Sequence, residues 1–182
     1  MKKKCNMDKF YNLAFPMSTV LVTCNDKKEN TNVITIAWHT TISKNPPLYA
    51  ISVAPSRYSY DIIKKSKEFV INFAPFSMVE KIHFCGTHSG RKTDKIKKTN
   101  LTLIPSEKIK TPSIKECYTH FECKLNKTVT LGDHCLFIGE VLNVRADKEI
   151  LDKDIIDNEK IQTCFYLGNN TYSKLDTNKK RF

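Results

Sequence analysis

Short apolar runs separated by turns fill the first half of the chain. Continuous β-branched segments predict strands over residues 19–24, 33–38, 48–53 and 69–73, and the first is apolar enough to be buried on both faces. Two prolines at 46–47 end the second run, because proline cannot donate a ladder hydrogen bond. Amphipathic spacing predicts a short helix over 60–67, and a capping box at 77–80 predicts a second helix to about residue 85.

The second half carries the clearest strand signal. Apolar and polar positions alternate from 117 to 126, which predicts a strand with one buried face and one solvent face. A turn at 131–133 returns the chain into a long strand over 134–144, where Gly139 predicts a bulge or a close backbone approach. Residues 147–160 predict a surface connection with a helical turn, and 164–167 a last strand.

Sequential strands joined by hairpins, with only two or three short helices, predict a mainly β protein built as an antiparallel barrel. The length of 182 residues favours one domain, with a core over about 10–168 and a polar, frayed tail over 169–182. The glycine-rich fingerprints of Rossmann and P-loop nucleotide sites are absent from the sequence.

The charge balance is basic, with 30 Lys and Arg against 19 Asp and Glu and a formal net charge of +11. Only four of the basic residues are arginine, the preferred fork for phosphates, and the lysines are dispersed. Most of the excess is therefore interpreted as solvated surface, while a basic barrel that binds nucleic acid stays open as a remote alternative.

Cysteine usage indicates a reducing compartment. The seven cysteines are odd in number and form no CxxC pair, so we expect free, mostly buried thiols and a cytoplasmic location. Cys85 and His88 have a metal-like spacing, but no second pair accompanies them, and no metal site is predicted. No stretch approaches the ~20 apolar residues of a membrane span, and residues 10–24 do not fit a secretory signal.

Three clusters could carry chemistry. The first is residues 35–41, where an apolar strand ends in aromatic and hydroxyl side chains. The second is residues 56–59, which place an arginine and hydroxyl groups at the start of a helix. The third is residues 85–91 together with Lys95, which provide hydroxyl groups, flexible backbone and cations. The last two suit an anion. Each has a structural alternative, since Trp38 could be core, Ser59 a helix cap and Ser89 part of a turn.

In order and spacing, these segments resemble the flavin reductase-like domain family, the FMN-binding split barrels that include flavoredoxin. The resemblance spans about residues 15–144 and is carried by STVLVTC, NVITIAWHTTISKNPP, RYSY with EFVINF shortly after it, CGTHSGRKTDK and GDHCLFIGEV. It implies a Greek-key split β-barrel, a non-covalently bound FMN, NAD(P)H as a possible co-substrate, and a homodimer with the site near the subunit interface.

The resemblance also implies site residues. Those lining the isoalloxazine and ribityl chain would be Thr35, Ile36, Ala37, Trp38, His39, Thr40, Ser52 and Val53. Those holding the phosphate would be Arg57, Ser59, Ser89 and Lys95. Asn72 would reach the flavin or its ribityl hydroxyls, and His134 would contact a nicotinamide. No residue is assigned as catalytic, because the cofactor carries the redox chemistry.

Two functions follow from the resemblance. The first is an FMN-dependent flavin reductase that passes hydride from a nicotinamide nucleotide through FMN. The second is a flavoredoxin-like electron carrier whose FMN is reduced by a partner protein. The sequence does not separate these two, and it does not distinguish NADH from NADPH or name the final acceptor.

Overall fold

The computed structural model describes residues 1–178 and 180. Its strands are β1 Met17–Ser18, β2 Val20–Asn25, β3 Thr31–Ile36, β4 His39–Ser43, β5 Leu48–Val53, β6 Glu68–Phe73, β7 Leu103–Ile104, β8 Ser113–Ile114, β9 Thr119–Leu131, β10 His134–Ala146, β11 Leu151–Asp152, β12 Ile155–Ile156, β13 Cys164–Gly168 and β14 Thr171–Lys174. Its α-helices are α1 Tyr58–Ser66, α2 Val79–Thr87 and α3 Lys95–Thr99, and 3-10 turns cover Met7–Ala14, Phe76–Met78 and Lys148–Ile150.

Seven strands form one antiparallel sheet in the order β3-β2-β6-β9-β10-β5-β4. The two edge strands, β3 and β4, do not pair with each other in the described part of the chain. The end of β3 instead approaches β5, where the Ser52 N–H donates to the Trp38 carbonyl at 2.9 Å. The barrel is therefore split between β3 and β5, and the predicted mainly β, antiparallel split-barrel fold is confirmed.

Two apolar clusters hold the sheet. Val20 and Val22 of β2 face a cluster inside the barrel together with Phe69, while Leu21 faces a second cluster between the sheet and α2. Every residue of β2 is buried, because both of its faces are covered. Burial on both faces explains why the sequence of this strand is a nearly continuous apolar run.

Gly139 lies where β10 and β9 shift register, as its place inside a predicted strand suggested. A Cβ atom at this position would lie 2.7 Å from Phe69 Cζ and 2.9 Å from Cys123 Cβ. The glycine thus permits a close approach between β10 and the barrel core, and the sequence-based prediction is confirmed.

The predicted solvent face of β9 is wrong at its first half. His120 and Glu122 are buried, because the segment connecting β7 to β9 covers them. His120 Nε2 donates to the Ile114 carbonyl at 2.8 Å, and the Glu122 carboxylate accepts the backbone N–H groups of Glu107 and Lys108. Burial alone would raise the pKa of the Glu122 carboxyl group. These hydrogen bonds favour the carboxylate more strongly, so the pKa lies below its usual value.

Two local predictions are corrected. Ser77 caps no helix: it lies inside a 3-10 turn, and Met78 precedes α2 without a side-chain cap bond. The tail is not frayed at its start, because β14 pairs with β13 through a tight turn at Asn169 and Asn170, both with positive φ. The part of the predicted tail at 179, 181 and 182 lies outside the described residues.

The described residues contain no helix that combines the length and the apolar character needed to cross a membrane. The cysteines are free thiols, and all but Cys5 are buried, as expected. Within residues 1–178 and 180, no three His, Cys, Asp or Glu side chains gather in a way that could hold a metal ion.

We expect Gly139→Ala to lower the free energy of unfolding by about 1–3 kcal/mol, because the added methyl group overpacks against Phe69. Urea denaturation measures this. The matched control is Gly132→Ala, where nothing lies within 4 Å of the new Cβ and only the positive φ of 57° is penalised, by about 1 kcal/mol. In a Phe69→Leu background the cost of Gly139→Ala should shrink; an unchanged cost would show that the Phe69 ring is not the obstacle.

Candidate functional site

Three adjoining cavities meet at Arg57 and Gly86. The first, the barrel-edge cavity, has a volume of about 180 Å³ and lies between the end of β3 and the end of β5. The second, the loop cavity, has a volume of about 120 Å³ and lies between residues 56–59 and 85–95. The third, the tyrosine chamber, has a volume of about 460 Å³ and is lined by Tyr166 and Tyr172. Together they reach the size of a typical small-molecule site.

The barrel-edge cavity collects most of the first sequence cluster. The predicted residues that line it are Thr35, Ile36, Ala37, Trp38, Ser52, Val53, Arg57 and His134. The Trp38 and His134 ring centroids lie 4.9 Å apart, and the Tyr11 ring centroid lies 5.8 Å from that of Trp38. An aromatic wall therefore closes one end of the groove.

The loop cavity brings together the four residues predicted to hold a phosphate: Arg57, Ser59, Ser89 and Lys95. Ser59 Oγ accepts from Asn32 Nδ2 at 2.7 Å, and Ser89 Oγ accepts from the Arg91 N–H at 3.3 Å. The Ser89 oxygen already accepts a hydrogen bond, so its hydroxyl hydrogen stays available to a ligand, whereas the Ser59 hydroxyl is also hydrogen-bonded to the buried Cys24 side chain.

Lys95 supplies a buried cation at the base of the loop cavity. Its Nζ donates to the Cys85 carbonyl at 2.9 Å, which uses one of three N–H groups. Burial lowers the pKa of Lys95; the Cys85 and Cys24 thiols act against this, and the Arg57 charge adds to it. Among the described residues no ion pair or hydrogen bond engages the Arg57 side chain, so two cations converge there.

This donor set fits a phosphate group. The Ser89 hydroxyl, the Lys95 ammonium and the Arg57 guanidinium line one small cavity, and charge-assisted bonds to an anion are the strong ones. No carboxylate side chain lines the loop cavity within the described part of the chain. A dianion would supply the charge that the free protein lacks at this point.

Arg91, a cation of the third cluster, holds the loops rather than facing the cavity. Its guanidinium donates to the Ser56 carbonyl at 3.0 Å and to the Asp61 carboxylate at 3.1 Å, and it lies over the Tyr58 ring at 5.1 Å. The loop that carries Ser89 is thereby tied to the loop that carries Arg57.

Three predicted residues, His39, Thr40 and Asn72, do not line any of the three cavities. Thr40 is exposed on β4. The His39 ring is engaged by Tyr49 Oη at 2.6 Å and by the Ser18 carbonyl at 3.0 Å, and burial lowers its pKa. Asn72 is fully buried and bridges two elements within the core.

The Asn72 amide is hydrogen-bonded to backbone groups and to the Thr23 hydroxyl. Its Nδ2 donates to the Leu21 carbonyl at 2.9 Å, and its Oδ1 accepts the Ile114 N–H at 2.9 Å. The side chain therefore joins β6 to β2 and β8, and it has no group left for a ligand in the groove.

Sequence reasoning missed Asn32 and Gly86. Asn32 orients Ser59, but it is the last polar residue of a run that reads as a hairpin loop. A Cβ on Gly86 would lie 3.2 Å from Thr35 Cβ, so the glycine lets α2 approach β3 at the junction of the cavities. The predicted helix ends at about residue 85, so Gly86 read as part of the following loop rather than as a point of close helix packing. Burial also raises the pKa of the nearby Cys85, which stays a thiol.

The flavin reductase like domain model matches residues 12–164 of this chain. The chain belongs to that family. The resemblance stated from the sequence motifs is thereby confirmed, and it extends about 20 residues beyond the segment on which it rested, as far as the start of β13.

Individual relatives agree with the family assignment. A protein of Pyrococcus abyssi is 39% identical over 142 residues, which are 78% of this chain and 81% of that protein. The flavoredoxin of Methanosarcina acetivorans superposes with a TM-score of 0.88 at 27% identity, covering 100% of this chain and 95% of that one. An FMN-binding protein of Thermus thermophilus has a TM-score of 0.84 at 26% identity, with coverage of 100% and 98%.

We expect inorganic phosphate to raise the melting temperature of the free protein, by about 2–4 °C per kcal/mol of binding free energy. The anion favours charged Lys95, so its lowered pKa should rise on binding, and the stabilisation should fade as the pH increases through the lowered value. Thermal melts across pH measure this. Lys95→Met should abolish the shift, whereas Lys97→Gln, exposed on the same helix, should keep it; an equal loss in both would contradict a specific site.

Proposed function

We propose that the protein binds FMN non-covalently in this groove and acts as a flavin reductase. The observation that carries the proposal is the order of the groove: an aromatic end at Trp38, the strand edge of β3 along its length, and a donor-rich loop cavity at the other end. That order matches the order of ring, ribityl chain and phosphate in FMN. Similar proteins that are described as flavoredoxin and as FMN-binding support it.

The residues of this chain have distinct tasks in the proposal. Bound FMN supplies the redox chemistry, taking up and releasing hydride or single electrons. Arg57 and Lys95 neutralise its phosphate, and Ser89 donates to a phosphate oxygen, with the Ser59 hydroxyl beside it. The unpaired backbone groups of β3 hydrogen-bond to a polar chain laid against them. Trp38 excludes water from that end of the groove.

NAD(P)H is the proposed electron donor, and its nicotinamide would lie near His134. The imidazole stands over the barrel-edge cavity and its Nδ1 lies 2.8 Å from Asp133 Oδ1. With Asp133 fixing the ring, Nε2 is the atom left to face a ligand. We also propose a homodimer in the cytoplasm, as the family resemblance implies.

A flavoredoxin-like carrier is the second candidate, favoured by the likeness to solved flavoredoxins. It would use the same groove and the same FMN, and would differ only in its electron source. A nucleic-acid partner is not part of the proposal, because the arginines that the structure describes have other tasks. Arg145, for example, lies beside the buried Glu122 and donates to the Pro105 carbonyl.

We expect the purified protein to be yellow, or to become yellow on adding FMN. Arg57→Ala combined with Lys95→Ala should weaken FMN binding by about a hundredfold or more, since charged hydrogen bonds contribute about 1.5–3 kcal/mol each. Quenching of flavin fluorescence measures the affinity. Riboflavin, which lacks the phosphate, should bind both proteins equally. A colourless protein that takes up no added FMN would refute the proposal.

A second experiment separates reductase from carrier. Under anaerobic conditions, NADH or NADPH alone should bleach the FMN absorbance of the loaded protein, because hydride passes directly to the flavin. His134→Ala should slow this bleaching by a larger factor than it weakens FMN binding, because the imidazole contacts the nicotinamide in this proposal. If dithionite bleaches the flavin and neither nicotinamide does, the carrier function replaces the reductase function.

A further inference from the structure

The phosphate end of the proposed groove has a second, larger cavity directly behind it. This α3 cleft lies between the start of β3, the loop over residues 90–94 and α3, and its volume is about 690 Å³. The loop cavity has about 120 Å³, the space of about four water molecules. The loop cavity therefore has room for one phosphate group, whereas the α3 cleft has the size of a whole small-molecule site.

A thin partition separates the loop cavity from the α3 cleft. The residues that line both cavities, and so form the partition, are Asn32, Tyr58, Gly90 and Lys95. A Cβ atom on Gly90 would overlap Asn32 Oδ1 and would lie 3.1 Å from Tyr58 Cδ1, so both side chains are in close contact with the Gly90 backbone. Because no space remains between these groups, a ligand cannot pass from the loop cavity into the α3 cleft at Gly90.

Asn32 is the member of the partition whose position is fixed most firmly. Its side chain is buried, and its Nδ2 donates to Ser59 Oγ at 2.7 Å. Its backbone lies opposite Cys24 in the β2–β3 pair. The loop that carries Gly90 is held next to it by Arg91, whose guanidinium donates to a carboxylate of α1. The sheet and the Arg91 tether together therefore hold the partition closed.

The charges of the loop cavity favour a phosphate group that ends the ligand. A terminal phosphate carries close to two negative charges at neutral pH. Arg57 and Lys95 supply two positive charges at this cavity, and no carboxylate side chain lines it within the described residues. A phosphate that bridges two groups carries only one negative charge, and its second substituent needs space beyond the cavity. Both the charge and the volume therefore match a terminal phosphate.

We propose that Asn32 is a specificity-determining residue that, held against Gly90 and Tyr58, closes the phosphate end of the groove, so that the site accepts FMN and rejects FAD. FAD is FMN extended by an adenylate at the same phosphate, and this extension needs the space that the partition closes. Removal of the Asn32 side chain would join the loop cavity to the α3 cleft. The inference rests on the proposed flavin function.

Calorimetric titration of the full-length protein with FMN and with FAD measures this selectivity. The wild-type protein should bind FMN more tightly than FAD by about a hundredfold or more, because FAD cannot make the charged phosphate contacts in the closed cavity. Asn32→Ala should reduce this ratio by about tenfold or more, chiefly by raising the affinity for FAD, since the adenylate can then enter the α3 cleft.

Asn32→Leu is the matched control. Leucine fills a similar volume but lacks the amide that donates to Ser59, so both flavins should bind more weakly while the ratio of their affinities stays at the wild-type value. Thermal melts identify any variant that fails to fold. Methyl phosphate and dimethyl phosphate then carry the test on the wild-type protein: the monoester should raise the melting temperature, and the diester should not.

Equal wild-type affinities for FMN and FAD would overturn the inference and leave the flavin function intact. An equal change of the affinity ratio in Asn32→Ala and Asn32→Leu would also overturn it, because the amide rather than the partition would then set the selectivity. If neither flavin binds, the proposed function fails. In that case a thermal shift by methyl phosphate alone would still support the closed phosphate end, and equal shifts by both phosphates would overturn it.

Discussion

The site depends on a sheet that stops one strand pair short of closure. Because β3 is hydrogen-bonded only to β2 in the described chain, its outer edge keeps backbone donors and acceptors that must find another partner. The groove runs along this edge. Gly86 lets α2 come close enough to cover it, and the Ser52–Trp38 hydrogen bond fixes the width of the opening at one end. An ordinary closed barrel of the same strands would have satisfied its backbone and kept no groove.

The net charge of the chain is a poor guide to which basic residues act in the groove. Most lysines of this basic chain lie in water, where they contribute little to any one site. Lys95 is different, because its ammonium is removed from water and no carboxylate compensates it in the loop cavity. Such a charge is costly in the free protein, and the cost is recovered only when an anion arrives. One buried cation therefore matters more to function than many exposed ones.

The sequence was sufficient for elements whose pattern is local, and insufficient where a remote segment decides. The longer strands β2, β3, β5, β6, β9, β10 and β13 and the Gly139 approach followed from periodicity, whereas β4 read as the end of the preceding apolar run. His120 and Glu122 appeared solvent-facing because alternation cannot reveal the distant segment that covers them. Asn72 looked like a ligand residue, yet its amide serves the backbone of β2 and β8. Strand β14 was not predicted because it is polar. Two asparagines with positive φ, rather than an apolar pattern, place it beside β13.

The Arg91 tether has a consequence for how solvent conditions act on the groove. Its partner Asp61 is about half-exposed, so mobile ions screen this pair far more than they screen the buried Lys95. Added salt therefore affects the loop cavity indirectly, through the exposed Arg91–Asp61 ion pair. We expect it to weaken the tie between the loop that carries Ser89 and the loop that carries Arg57 at salt concentrations that still leave the Lys95 charge largely unscreened.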